Sequence, residues 1–327
     1  MTVLQLPENH AISREIRNSG DYYRIANYLN YGTAPVCIKK IHDDTAEGIS
    51  VDIPALTGTD WPPWYGKLRR AWLQAKREKL VENLIVHGSY GNWTCTSYSD
   101  LDLTLLLDDT LLQAPRRMTR LRKWLRNELL PVVLSVDPLQ HHGPFFLWQN
   151  LTDNYPEDIL PVTAYRHAWA MEPVELCFQP LPFPDYRRHA ALRTANRLNE
   201  AVSYFNRGFT MYSMKRYLSN LMLIPTLYCG DAGTPMFKAQ SFNPFYKEFG
   251  PAALPIRAAS ALRQDWPPAP DRTFRAAQLG CRVKGGLELV RQLYHDDSVK
   301  NVLTHEIMPH TVVLARELVR RQGDADR

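Results

Sequence analysis

The chain has 327 residues, 45% hydrophobic and 22% charged, with a formal charge of +5. That length suits two domains or one enlarged domain, and the composition is that of an ordinary globular protein rather than a disordered or collagen-like one. It has no apolar run long enough to span a bilayer. The opening MTVLQLPENH lacks the basic start and apolar stretch of a signal peptide, so a cytoplasmic location is expected. The five cysteines, Cys37, Cys95, Cys177, Cys229 and Cys281, are dispersed and form no CxxC pair. This argues against a disulfide framework or a structural zinc site. The mild positive charge suits a polyanionic ligand but does not diagnose nucleic-acid binding.

Residues 1 to about 60 are mixed in character. A basic helix is expected from about Tyr65 to Val81. Leu84-Ile85-Val86 is short and apolar and stops at His87-Gly88-Ser89, which reads as a buried strand ending in a turn. Further strands are expected at Asp100 to Leu107, Val132 to Val136 and Phe145 to Trp148. A helix over Arg116 to Leu130 separates the first two of these and is broken by Pro131. Its cluster Arg116, Arg117, Arg120, Arg122, Lys123 and Arg126 reads as a solvated face. The order is that of an α/β fold. The proline-bearing LPFPDY at 181–186 marks a boundary, giving a core with an N-terminal extension over 1–180 and a helical domain over 181–327. Helices are expected there at Ala190 to Arg207, Met211 to Tyr228, Phe274 to Tyr294 and Leu303 to Arg321, with a frayed C-terminal GDADR.

The segment SDLDLTLLLDD carries the strongest chemical signal. Side chains alternate along a strand, so Asp100, Asp102 and Thr104 share one face, and Leu101, Leu103, Leu105 and Leu107 share the other. Carboxylates two residues apart lie about 7 Å apart along a strand, close enough to serve one divalent cation or a close pair. Each carboxylate alone is expected to be poorly compensated without metal. Upstream, LIVHGSYG sets Gly88 and Ser89 directly after an apolar strand. Glycine allows close backbone approach, and a serine hydroxyl with the amides of a following turn can hold phosphate oxygens.

Together, VHGSYGNWTCTSYSDLDLTLLL resembles the core motif of the DNA polymerase β-like nucleotidyltransferase superfamily, and its spacing and Tyr-Ser-Asp lead-in look most like the aminoglycoside (kanamycin-type) nucleotidyltransferases. The specific match covers residues 84–107. The resemblance implies a small mixed sheet flanked by helices, followed by a helical substrate-binding domain. It implies two Mg²⁺ ions held by three carboxylates, with Asp100 and Asp102 as metal ligands and Gly88 and Ser89 on the triphosphate. Asp137, at the end of VVLSVD, is the candidate third acid, and Glu175 in PVELCF is the reserve. The family brings a lysine from its helical domain to the triphosphate. Lys215 in MYSMKRYL and Lys238 in GTPMFKAQSF both lie in the helical half, and Lys238 is the candidate because it follows a glycine-containing loop. His141-His142 reads as a loop pair rather than a ligand pair, and Phe145, Phe146 and Trp148 read as core.

The implied reaction moves a nucleoside monophosphate from an NTP to an acceptor hydroxyl with release of pyrophosphate. The acceptor could be a small molecule such as an aminoglycoside. The alternatives are a transferase acting on tRNA, a protein or an oligonucleotide signal, and a non-catalytic nucleotide-binding module. No membrane partner is expected.

Overall fold

The computed structural model describes residues 48–57, 61–153, 155–157, 160–180, 189–234 and 236–325. The expected boundary at 181–186 and Cys37 lie outside these residues. The chain is mixed α/β, with small sheets and a helical C-terminal region. No helix among the described residues is long and apolar enough to cross a membrane.

Two compact units are present. The first takes in the described residues up to Thr94, Leu101–Val136, and the described residues from His142 to 180. The second takes in Cys95–Asp100, Asp137–His141 and the described residues from His189 onward.

In the first unit, a four-stranded mixed sheet has the order β4-β3-β2-β5, with β2 at Asn83–Val86, β3 at Leu103–Leu106, β4 at Phe145–Leu147 and β5 at Trp169–Ala170. β2 pairs antiparallel with β3 and β5, while β3 and β4 run parallel. A separate antiparallel pair joins β1, Ile49–Ile53, to β6, Val174–Phe178. The expected leucine face is buried: Leu101, Leu103, Leu105 and Leu107 are each at most 1% exposed. The strand itself begins only at Leu103, so Asp100 and Asp102 precede it rather than lie on it.

The basic helix spans Pro63–Arg77. Proline at its first turn costs no hydrogen bond, and Lys76 and Arg77 face the negative end of its dipole. Tyr65, Leu68, Ala71, Trp72 and Ala75 recur at three- and four-residue steps and form its buried stripe.

The segment Val132 to Val136, expected as a strand, is helical. The helix beginning at Pro115 continues through a π-helical turn at Leu125–Leu129 and on to Val136. Pro131 does not break it. A proline ring clashes with the carbonyl four residues back in a regular α-helix, and the wider turn just before it relieves that clash. Met118, Leu121, Leu125, Leu129, Val132 and Val133 are buried along this rod, so packing overrides the β-propensity of the valines.

The second unit is built on helices Ala190–Asn199, Met211–Leu221, Ile224–Asp231, Lys238–Phe249, Leu254–Gln264, Asp271–Gly280, Gly286–Leu293 and Asp297–Val302, and on a final run from Leu303 to Ala325. Met211–Tyr228 and Phe274–Tyr294, each expected as one helix, are both interrupted. Tyr98 and Leu139 belong to this unit's core, together with Leu198, Met214, Tyr217, Leu218 and Leu221.

Candidate active site

In the first unit, β2 ends at Val86 and the chain turns at Gly88 into a single helical turn, Gly88–Gly91. Gly88 has φ +64°, a conformation that glycine adopts without penalty. A Cβ there would stand 2.2 Å from Asp102 Oδ2, so the absence of a side chain lets the Asp102 carboxylate lie against the turn. The backbone holds this arrangement, because the His87 amide donates to the Asp102 carbonyl at 3.1 Å. Gly91 is similarly constrained, since a Cβ there would meet the His167 carbonyl at 2.6 Å. The Gly-Ser turn and Asp102 are therefore brought together as expected.

Asp102 Oδ1 lies 3.0 Å from His142 Nε2, and the other ring nitrogen of His142 is 2.9 Å from the Gly143 carbonyl. His87, beside Asp102, is buried, with Nε2 3.0 Å from the Thr104 hydroxyl. Burial pushes its pKa down to about 4, against the pull of Asp102.

In the second unit, Asp100 Oδ2 lies 2.9 Å from His141 Nδ1. Asp100 Oδ1 and Asp137 Oδ2 lie 2.6 and 2.8 Å from one ammonium, that of Lys215, whose side chain has no solvent exposure. Lys215 also sits 5.1 Å from the centre of the Tyr98 ring. The Tyr98 hydroxyl donates to the Lys215 carbonyl at 2.9 Å and bonds the Ser219 hydroxyl at 2.7 Å. Burial works against the charge on Lys215, but Asp100 and Asp137 outweigh it and hold the ammonium above its ordinary pKa. Burial, then the neighbouring Asp100 charge, raise the Asp137 carboxyl, and Lys215 opposes them.

The carboxylates are thus compensated without metal, contrary to the sequence-based expectation: Asp100 and Asp137 by Lys215 and His141, Asp102 by His142. Asp137 lies beyond the end of a helix rather than of a strand, and it is brought next to Asp100 through their shared lysine. Glu175 is exposed on β6, where it accepts from the Ser50 hydroxyl at 2.7 Å. Lys238 opens the helix Lys238–Phe249 and is half-buried. His141 meets Asp100 and His142 meets Asp102, contacts that the sequence did not disclose.

Asp102 is one-quarter exposed, packs on the glycine turn and has the His142 imidazole beside it. Asp137 suits a divalent ion poorly, because Oδ1 accepts from the Leu139 amide at 3.0 Å and Oδ2 is held by Lys215. Next to the Gly-Ser turn, Trp93 is 48% exposed and stacks on Trp169 with the rings 8° from parallel. Both line a groove of about 500 Å³ in the first unit.

Comparison of the chain with protein-family models, characterised proteins and solved structures gave no match.

Proposed function

We propose that the chain is a metal-dependent nucleotidyltransferase, which moves a nucleoside monophosphate from an NTP to an acceptor hydroxyl and releases pyrophosphate. The observation that carries the proposal is the fit of Gly88 against Asp102, which sets a carboxylate directly beside a glycine-serine turn. In a first helical turn the backbone N–H groups lack intrahelical acceptors, so the Gly88-Ser89 turn suits phosphate oxygens. Asp100 and Asp102, two residues apart in the chain, are the acids of the reaction centre. Mg²⁺ bound there would neutralise triphosphate charge and make the acceptor hydroxyl more acidic.

In the transfer the acceptor oxygen bonds to the α-phosphorus, the bond to the β-phosphate bridging oxygen breaks, and pyrophosphate leaves. The hydroxyl proton passes to a carboxylate of the centre. Positioning and charge neutralisation supply most of the rate in such a reaction. Lys238 is proposed as the lysine that meets the triphosphate, and the exposed face of Trp93 suits a planar ring of either substrate. A small-molecule acceptor is the first expectation, with RNA or protein acceptors as outcomes of the same test.

The test is incubation with each labelled NTP, Mg²⁺ and a panel of aminoglycosides, tRNA and proteins. Pyrophosphate release with label on one acceptor, lost in Asp102→Asn, supports the proposal. Nucleotide binding without release from any NTP would move the weight to the non-catalytic module.

A further inference from the structure

We infer, on the proposed nucleotidyltransferase reading, that Trp93 ends a stack of indoles on which the purine ring of the NTP settles, in the groove beside the Gly88–Gly91 turn. Binding of a purine nucleoside there needs neither metal nor turnover.

The place of Trp93 follows from how the turn ends. Asn92 caps the turn, and the Thr94 amide donates to the Ser89 carbonyl at 2.8 Å, the bond of a helix end that closes through a left-handed residue. Glycine usually takes that left-handed position, but here it is Trp93, with φ +59°. The chain is pinned on both sides of it. Asn92 Oδ1 accepts from the Thr94 amide at 3.2 Å and from the Thr94 hydroxyl at 2.7 Å. The Tyr90 carbonyl accepts from the Trp169 indole N–H at 3.2 Å. A bulky residue persists in such a conformation only where its surroundings hold it, and such places cluster at ligand sites.

The held conformation presents a stacking face. The Trp93 ring is 8° from parallel to that of Trp169, with centroids 6.2 Å apart, and Trp169 stacks in turn on Trp64 at 6.4 Å. Trp169 is buried and Trp93 is exposed, so the stack is open at its Trp93 end and a further planar ring extends it. The groove of about 500 Å³ that both rings line is of a size to enclose a nucleoside. Asn92 lines it too. With its oxygen taken by Thr94, Asn92 offers side-chain N–H donors, which match the acceptor nitrogens of a purine edge. An aminoglycoside carries no planar ring, so with such an acceptor the stacked ring is the base of the NTP. A purine overlaps an indole with two rings and a pyrimidine with one, which favours ATP or GTP. Because Thr94 bonds back to Ser89, the stacking face and the Gly-Ser turn belong to one rigid piece of backbone.

The experiment is saturation-transfer NMR of the full chain with adenosine, without metal. The wild type is expected to pass saturation to the adenine protons more strongly than to the ribose protons. Trp93→Ala is expected to weaken adenosine binding about 10-fold, as loss of one base-stacking contact does. Trp93→Phe, which keeps a smaller face, is expected to fall between the two, and cytidine to bind the wild type more weakly than adenosine. Should Trp93→Ala fail to fold, Trp93→Gly, which suits the left-handed backbone, takes its place. No transfer to adenosine from the wild type, unchanged affinity in the folded variant, or cytidine binding as tight as adenosine would overturn the inference. Pyrophosphate release separates it from the proposed reaction. Adenosine binding that depends on Trp93, with no release from any NTP, keeps the purine subsite and rejects the enzyme. Release without such binding does the reverse.

Discussion

Gly88 gives up its side chain to Asp102: a methyl group at Gly88 would stand 2.2 Å from Oδ2 of that carboxylate. Gly88→Ala is therefore expected to act on two levels. The left-handed backbone costs an alanine about 1 kcal/mol, and the carboxylate must also swing away from the turn. A displacement of about 1 Å at a reacting group lowers turnover by roughly 100-fold. Denaturant melts and single-turnover kinetics of Gly88→Ala check both. Wild-type turnover with a normal melt would show that the close approach has no catalytic role.

Asp100→Asn and Asp102→Asn are expected to abolish transfer alike but to differ in stability. Asp100 is one of two partners of a fully buried lysine, and removing a partner from a buried pair costs about 3 kcal/mol. Asp102 is one-quarter exposed and pairs with a partly exposed imidazole, so its loss is expected within about 0.5 kcal/mol of the wild type. Urea unfolding of the two variants side by side measures the contrast. Equal stabilities would mean that Lys215 does not depend on Asp100.

His87 makes folding sensitive to acid. Its folded pKa is about 4, against 6.5 for an unperturbed histidine. The unfolded chain therefore takes up a proton that the folded chain refuses as pH falls from about 6.5 to 4. The contribution is fully present above pH 6.5, declines across that window by about 3 kcal/mol, and is constant below it. In His87→Gln this part of the pH dependence should vanish. Unfolding free energies at pH 7, 5.5 and 4 give the comparison, and parallel curves for the two proteins would rule out a neutral buried His87.

Lys238→Ala is expected to raise KM for the NTP about 10-fold while changing kcat little, as loss of one phosphate contact present in ground and transition states alike would do. Steady-state kinetics at saturating acceptor decide it. An unchanged KM would remove Lys238 from the triphosphate site.

The sequence made the β-structure around the Gly-Ser turn legible because Leu84-Ile85-Val86 and the leucines after Asp100 are short apolar runs bounded by turn residues. It misled at Val132 to Val136, where β-branched residues after a proline imitate a strand. The true partner of the acids was visible in principle. Lys215 sits in a stripe with Met211, Met214 and Leu218, at helical spacing, where a charged residue must find an acid. Nothing local named which acid, because Asp137 lies 78 residues away in the chain. The contacts of His141 and His142 were illegible for a similar reason: their partners are set by tertiary structure alone.

The π-helical turn at Leu125–Leu129 has a consequence for phase. Each residue of an α-helix advances the azimuth by about 100°, so one surplus residue in a turn shifts everything after it by that angle. The surplus lets Leu129, Val132 and Val133 continue the inward line begun by Met118 and Leu121. Deleting a single residue between Leu125 and Leu129 would regularise the turn, set the ring of Pro131 against the preceding carbonyl, and rotate the valines out of line. The rod is thus written in a reading frame whose punctuation is one extra residue, and a homologous helix without that residue is expected to lack the proline too.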